Sequence, residues 1–265
     1  MPRATLIEDL SGGVLLITLN RPERKNAFNH QMWCDTRDAL AEAQATDAVR
    51  VVVVTGAGGA FTAGQDLTEM VGGGPAGTSA EHGFGSFMDR LCAFDKPLIA
   101  AVNGVGVGIG LTLLLHCEYV YIAHDARLRA PFITLGVVPE AASSYLLPAL
   151  IGYRHAVDLL FESGFISAER AVELGIATHL CEPGDVRRAA LARAEQLAAK
   201  PLGSLRWTKR LLLATRAEQV AAARRREDDA FLHRVGSPEN IEAVSAFFEK
   251  RAPDFSRVPS GDRTP

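Results

Sequence analysis

Short apolar runs rich in β-branched residues alternate along this chain with longer segments of helical periodicity. Residues 4–9 and 14–19 read as two strands of a hairpin, separated by Ser11, Gly12 and Gly13. Residues 29–46 carry apolar positions at helical spacing. Three further runs, at residues 51–55, 98–102 and 119–123, indicate buried strands. Strands alternating with helices predict an α/β class with right-handed crossovers.

The pattern changes twice along the chain. Residues 71–85 contain six glycines and few apolar side chains, which predicts a mobile loop near a substrate lid or binding wall. After Ile151 the pattern becomes almost continuous amphipathic helix, interrupted by glycines and with Pro183, Pro201 and Pro238 near helix starts. We therefore divide the chain into a core of residues 1–180 and a helical region of residues 181–265.

Composition excludes several classes of function. The 265 residues are 48% hydrophobic and 22% charged, with a formal net charge of −3 and no long run of one sign, which argues against a nucleic acid partner. The basic residues 224–226 precede the acidic residues 227–229, a pattern typical of a solvated helix. The four cysteines are scattered, so neither a metal site nor a disulfide is expected. No apolar run is long enough to span a membrane, and we expect a cytoplasmic protein.

Two glycine-containing segments could carry chemistry, because each follows an apolar strand and leads into a helix. In residues 61–67, Asp66 is placed to cap a short helix, although a plain structural junction fits equally well. Residues 104–110 read G-x-G-x-G-x-G, which differs from the dinucleotide pattern G-x-G-x-x-G. The favoured interpretation is a turn that presents backbone N–H donors at a helix N-terminus, where an anion is stabilised.

Four motifs in order along the chain resemble the enoyl-CoA hydratase/isomerase (crotonase) superfamily. They are N-R-P-E-R-K-N-A at residues 20–27, G-A-G-G-A-F-T-A-G-Q-D-L at 56–67, K-P-L-I-A-A-V-N-G at 96–104 and E-A-V-S-A-F-F-E-K-R-A-P-D-F at 242–255. The resemblance implies a spiral of repeated ββα units followed by a helical region that forms trimers. It also implies an enzyme of fatty acid metabolism that acts on acyl-CoA thioesters and needs no cofactor or metal of its own.

The same resemblance assigns roles to individual residues. It implies that the backbone N–H groups of Ala63 and Ile109 form an oxyanion hole, which stabilises the charge of a thioester enolate. It implies that Arg24 and the segment formed by Ala63, Gly64, Gln65, Asp66 and Leu67 contact coenzyme A. Finally, it implies that Phe247 and Lys250 reach the coenzyme A of a neighbouring subunit in a homotrimer or a dimer of trimers.

The acid and base residues favour one reaction within the family. Where the family's hydratases carry two glutamates, this chain has Thr112 and Phe132, and neither side chain can activate water. Glu140 instead lies in a segment that resembles the site of the Δ3-Δ2-enoyl-CoA isomerases. Its apolar neighbours would raise its pKa, whereas a helix start after Pro139 would lower it. A glutamate that merely stabilises a helix N-terminus is the structural alternative.

We therefore predict an isomerase that converts 3-enoyl-CoA to 2-trans-enoyl-CoA, with Glu140 as the single acid and base. A hydratase, or another crotonase reaction through an enolate, is the alternative within the enzyme class. A catalytically silent binding or scaffold protein of the same fold is the alternative outside it. His116 lies in an apolar helix and reads as a core histidine, and no G-x-S-x-G motif of a serine hydrolase is present.

Overall fold

The apolar runs form two sheets in the computed structural model, which describes residues 3–71 and 83–259. The strands in this part of the chain are Leu6–Ser11 (β1), Val14–Leu19 (β2), Val51–Gly56 (β3), Ala60–Thr62 (β4), Leu98–Val102 (β5), Val105–Val107 (β6), Tyr119–Ala123 (β7), Arg127–Arg129 (β8), Phe165–Ser167 (β9) and His179–Cys181 (β10). The larger sheet has the order β1-β2-β3-β5-β7-β10, and the smaller has the order β4-β6-β8-β9.

The connectivity explains how one chain builds both sheets. All pairs in the larger sheet are parallel except the β1–β2 hairpin, and β2 pairs with β3 from Val14 opposite Val51 to Leu19 opposite Gly56. In the smaller sheet β4, β6 and β8 are parallel, and β9 is antiparallel to β8. Three times, a long strand of the larger sheet is followed by a short strand of the smaller one. The predicted α/β spiral of ββα units is therefore confirmed.

The helices cover these sheets and continue beyond them. They are His30–Ala45 (α1), Leu67–Val71 (α2), Phe84–Ala93 (α3), Ile109–Thr112 (α4), Ser143–Ile151 (α5), Tyr153–Glu162 (α6), Ala168–Glu173 (α7), Val186–Ala198 (α8), Leu202–Ala214 (α9), Ala217–Arg234 (α10) and Pro238–Glu249 (α11). Short 3-10 turns occupy Pro22–Arg24, Leu113–His116, Ile133–Leu135 and Phe255–Arg257. Within the described ranges, no helix is both long and apolar enough to cross a lipid bilayer.

Most of the predicted elements are confirmed. Strands β2, β5 and β7 have the predicted bounds, and β3 is one residue longer. Helix α1 begins after Asn29, whose side chain accepts a hydrogen bond from the Met32 N–H group and so caps the helix. Helix α11 begins at Pro238, after a similar cap formed by Ser237.

The predictions for the helical region after Ile151 and for the glycine-rich loop are wrong in part. The nearly continuous helix expected after Ile151 is interrupted by β9 and β10, which are three residues each and too short to show an alternating pattern. The loop expected over residues 71–85 ends earlier, because α3 already begins at Phe84. The remainder of that loop, residues 72–82, lies outside the described residues. The division near residue 180 stays a prediction, and the structure places α8 against the larger sheet.

Buried polar side chains hold the loops that will form the site. Asn26 donates to the carbonyl groups of Ala57 and Ala60, both at 2.9 Å. Asn103 donates to those of Gly56 and Gly58, both at 3.0 Å. Because both asparagines bind the same loop, the chain between β3 and β4 has a fixed shape.

Lys96, the lysine of the third motif, is completely buried and has a structural role. Its ammonium group donates to the carbonyl groups of Ala43, Thr46 and Val49 at 2.7 to 2.8 Å. Two of these acceptors end helix α1 or follow it directly. The buried charge therefore stabilises the C-terminal end of that helix, where carbonyl groups have no partner within the helix.

Candidate active site

A cavity of about 890 Å³ lies between the two glycine-containing turns, the chain around Glu140, and helices α10 and α11. Its walls are mainly apolar, with Phe132, Val137, Phe231 and Phe247 among the lining side chains. A concave, mostly apolar cavity of this size with a few polar groups is typical of a small-molecule site. Every residue predicted for the site lines this cavity except Lys250.

The two glycine-containing turns meet because they follow neighbouring parallel strands, β4 and β6. Gly64 has a φ of +87°, and a Cβ atom added to it would lie 2.7 Å from the carbonyl oxygen of Val107. Gly108 also has a left-handed φ, of +57°. At Gly64 only glycine allows both the backbone conformation and the close approach, whereas at Gly108 the backbone conformation alone favours glycine.

The backbone donors of the first turn differ from the prediction. The Ala63 N–H group donates to the carbonyl of Lys25 at 2.9 Å and is therefore already engaged. The Gln65 N–H group has no acceptor among the described residues, and neither does that of Ile109, the first residue of α4. Phe28 bonds to the residues on either side of Gln65, so the Gln65 N–H group points away from Phe28. The assignment of a donor to Ala63 is corrected, and the available pair is Gln65 and Ile109.

Side chains fix this first turn from both sides. Trp33 donates from its indole nitrogen to the Gln65 side-chain oxygen at 2.9 Å. Asp66 accepts from the Thr68 N–H and hydroxyl groups at 3.2 and 2.7 Å, and from Arg21 at 3.1 Å. Burial alone would raise the pKa of Asp66, but the bonds from Thr68 and Arg21 hold it below its usual value. Asp66 thus anchors the turn, as its place before α2 suggests.

The two C-terminal residues predicted to contact coenzyme A, Phe247 and Lys250, have different surroundings within their own chain. Helix α11 packs on the 3-10 turn Ile133–Leu135 of its own chain, and Phe247 lines the cavity of that chain. Lys250 ends the helix in a left-handed conformation and lies outside the cavity lining. The neighbouring Arg251 lines the cavity instead and pairs with Glu242, with one N–O distance of 3.0 Å. Contact with another subunit stays a prediction.

Glu140 reaches the cavity from the turn that precedes α5. Its carboxyl group is deep in the protein and keeps only partial exposure to the cavity, at 3.4 Å from the Thr112 hydroxyl. Burial, followed by the negative charge of Glu227, raises the pKa of Glu140 to about 8, against a smaller opposing effect of the Thr112 hydrogen bond. A carboxyl group with this pKa can take up a proton near neutral pH and also return it.

The two positions where related hydratases carry glutamates hold no carboxylate. Thr112 is fully buried beside Glu140, and Phe132 forms part of the cavity wall. His116 lies behind this group, is buried, and donates to the Ala141 carbonyl at 2.9 Å. Burial lowers the pKa of His116 to about 4, so the imidazole is neutral at physiological pH. It is a core histidine, as predicted.

The sequence pattern does not predict that carboxylates of helix α10 line the cavity. Glu227 and Asp228 line the cavity, and Glu227 is buried, whereas the charged run at residues 224–229 predicts a fully solvated helix. Because charges of both signs follow one another in that run, the sequence does not show which of these residues are buried. One weak signal was present, because Glu227 lies four residues before Phe231, which lines the same cavity.

The chain is similar in sequence to known proteins of one family. The family model for enoyl-CoA hydratase/isomerase matches residues 9–258. The chain is 33% identical over 256 residues to 1,2-epoxyphenylacetyl-CoA isomerase of Escherichia coli strain K12, covering 95% of this chain and 98% of that one. It is 35% identical over 243 residues to 2,3-dehydroadipyl-CoA hydratase of the same strain, covering 91% and 94%.

A third relative is longer than this chain. Enoyl-CoA delta isomerase 2 of Rattus norvegicus is 34% identical over 244 residues, which cover 91% of this chain and 62% of the relative. Among solved structures, an enoyl-CoA hydratase/isomerase of Pseudoalteromonas atlantica T6c has a TM-score of 0.89 at 39% identity, covering 95% of this chain and 99% of that chain. From its motifs, its fold and these relatives, the chain belongs to the enoyl-CoA hydratase/isomerase (crotonase) superfamily of acyl-CoA enzymes.

Proposed function

We propose that the protein isomerises 3-enoyl-CoA to 2-trans-enoyl-CoA, with Glu140 as the single acid and base. One observation carries the proposal: a half-buried carboxyl group with a pKa raised to about 8 shares a cavity with two backbone N–H groups that have no acceptor in the described chain. A base and a pair of oxyanion donors are the two parts that enolate chemistry needs.

The reaction follows from these parts. Glu140 removes a proton from C2 of the substrate, and the electron pair moves to the thioester oxygen to form an enolate. The N–H groups of Gln65 and Ile109 donate to that oxygen, and each is worth about 3 kcal/mol of barrier lowering. The protonated Glu140 then gives its proton to C4 as the double bond moves to C2–C3, which restores the carboxylate. The proposed reaction needs no cofactor or metal beyond the coenzyme A that the substrate carries.

The rest of the cavity supports an acyl-CoA substrate. Arg24 and Lys25 supply positive charge to the lining, where phosphate groups of coenzyme A would bind. The aromatic walls around Phe132 and Phe231 suit an apolar acyl chain. Phe247 at the cavity and Lys250 outside it are the residues proposed to complete a coenzyme A site, with Lys250 reaching a neighbouring subunit.

We also propose a homotrimer or a dimer of trimers in the cytoplasm. Helix α9 leaves Trp207, Leu211 and Leu212 more than 60% exposed. Large apolar side chains grouped on one helix mark a surface that another chain covers. The family resemblance of the C-terminal region supplies the expected partner, a second copy of this chain.

Hydration is the second candidate function, because a hydratase is among the relatives and because Glu227 and Asp228 add carboxylates to the cavity wall. The side chains of Thr112 and Phe132 argue against it, since neither can hold and activate the attacking water. A silent scaffold is the third reading. It would leave a carboxyl group with a strongly raised pKa beside a second acid without a use, at a cost in stability.

Two substrates and two variants separate these readings. With 3-hexenoyl-CoA, formation of the conjugated product is followed by its ultraviolet absorbance. With crotonyl-CoA, loss of the same absorbance reports hydration. We expect efficient isomerisation, slow hydration, and loss of isomerase turnover by at least a thousandfold in Glu140→Gln. Thr112→Ala is the matched control and should change turnover by less than about threefold.

Faster hydration than isomerisation would overturn the proposal in favour of a hydratase. Absence of both reactions, with coenzyme A thioesters still bound, would favour the scaffold. Near-normal isomerisation by Glu140→Gln would remove Glu140 from the mechanism.

A further inference from the structure

The turn that carries Glu140 has an unusual backbone. Ala141 and Ala142, which follow it, both have a φ of +59° and are both buried. A non-glycine residue in the left-handed region is strained, so two in succession persist only where surrounding contacts hold them. Helix α5 begins immediately afterwards, and its N-cap residue, Ala142, has no side chain that can cap it.

Two of the contacts that hold this turn come from Glu227, and His116 and Ser143 add hydrogen bonds to the carbonyl groups of Ala141 and Glu140. One carboxylate oxygen of Glu227 accepts from the Ala142 N–H group at 2.6 Å, and the other accepts from the Ser144 N–H group at 2.8 Å. Glu227 lies in the middle of α10 and is buried. Its carboxylate thus does for α5 what an N-cap side chain does in other helices, from a different element of the fold.

Glu227 also shapes the charge around Glu140. The groups that face the Glu140 carboxyl are Glu227 and Asp228 of α10, both acidic, and the neutral Thr112 of α4. Behind the turn, the neutral His116 donates to the Ala141 carbonyl. No positive group opposes the two acids at Glu140 among the interactions of the described residues. Burial raises the pKa of Glu227 too, while its hydrogen bonds from Ser144 and Ala142 oppose that rise and favour the charged form. In its charged form Glu227 makes ionisation of Glu140 harder, which acts in the same direction as burial.

We infer that Glu227 is a positioning residue for Glu140: it holds the strained turn so that the Glu140 carboxyl group points into the cavity, and it keeps a negative charge behind that group. The inference rests on the proposed function, in which Glu140 is the base. Helix α10 thus influences proton transfer through the position and charge of Glu227, without contact between Glu227 and the reacting atoms.

Two separate effects follow from this arrangement. Loss of the two hydrogen bonds would let the turn relax, and misplacement of a catalytic group by about 1 Å is expected to lower turnover by roughly a hundredfold. Loss of the charge would let Glu140 ionise more easily. Because the base form of Glu140 is the active form, the rise of kcat/KM with pH would then move to lower pH.

The experiment measures the dependence of kcat/KM and kcat on pH for 3-hexenoyl-CoA in three variants. Glu227→Gln removes the charge and places an amide donor against a backbone donor. We expect its kcat to fall at least tenfold, its KM to change less than threefold, and the midpoint of its kcat/KM profile to fall by about one pH unit. Glu227→Asp keeps the charge on a shorter side chain, so its kcat should fall while the midpoint stays within about 0.3 of that of the unchanged protein.

Asp229→Asn is the matched control, since it removes one negative charge from an exposed position of the same helix. It should leave both kcat and the midpoint unchanged. If Glu227→Gln loses stability but keeps the original midpoint and kcat in its folded fraction, Glu227 is only structural and the inference is wrong. If Glu140→Gln keeps its turnover, the proposed function fails first, and that result is distinguishable because it does not involve Glu227.

Discussion

Glu140→Gln tests the buried carboxyl group through stability as well as through activity. The pKa of Glu140 rises from the ordinary value of 4.5 to about 8 in the folded protein. The folded state therefore binds this proton more tightly than the unfolded state does. Its contribution to stability is complete below pH 4.5 and is lost progressively as the pH rises to about 8. Glutamine has nearly the same shape and stays neutral, so the variant does not undergo this loss.

The size of the effect follows from the difference in pKa. At about 1.36 kcal/mol for each pH unit, the full range from 4.5 to about 8 corresponds to ~5 kcal/mol. About 3 kcal/mol of this is already lost at pH 7. We therefore expect Glu140→Gln to match the unchanged protein at pH 4.5, and to be more stable by about 3 kcal/mol at pH 7 and by up to ~5 kcal/mol at pH 9. The same variant should have lost its isomerase turnover.

The assay is urea unfolding followed by circular dichroism at pH 4.5, 7 and 9, with a common m value for the two proteins. Glu218→Gln, an exposed residue of α10, is the matched control and should show no such divergence. Parallel stabilities of Glu140→Gln and the unchanged protein at all three pH values would refute the reasoning, because they would mean that Glu140 ionises in the folded state as it does in water.

Three further predictions concern the donors, the buried lysine and the assembly. Ile109→Pro removes the proposed donor at the first position of α4, where proline is sterically tolerated, and should lower kcat by a hundredfold to a thousandfold. Ile109→Ala is the control, because it keeps the N–H group. An equal loss of kcat in both variants would disprove the donor role. Lys96→Met leaves three buried carbonyl groups without their donor. The free energy of unfolding, measured by urea titration, should fall by about 2 to 4 kcal/mol. A loss under about 0.5 kcal/mol would contradict the capping role. Sedimentation equilibrium should show a trimer or a multiple of it, and Trp207→Glu on the exposed face of α9 should shift the mass towards the monomer; a fully active monomer would rule out the proposed assembly.

Much of the fold was predictable because it depends on local pattern. The β-branched run of β3 and the short apolar run of β5 indicate strands covered on both faces, and the structure buries both completely. The Asn29 cap and the helical spacing after it likewise determine α1. Strands β9 and β10 escaped prediction because three residues cannot display a period of two.

Some features of the site were also predictable from the sequence, whereas others depend on the tertiary structure. Sequence alone determined that two glycine turns follow two buried strands and that Glu140 lies among apolar neighbours. The family resemblance implied that Thr112 and Phe132 stand where hydratases carry their two glutamates. Only the tertiary structure decided which N–H groups are available, because the acceptor that engages Ala63 belongs to Lys25, 38 positions earlier in the chain. It alone brought Glu227 to the turn after Glu140, across 85 residues from Ala142. Hydrogen-bond partners and buried charges depend on distances in space, and a sequence pattern constrains those only within a single helix or strand.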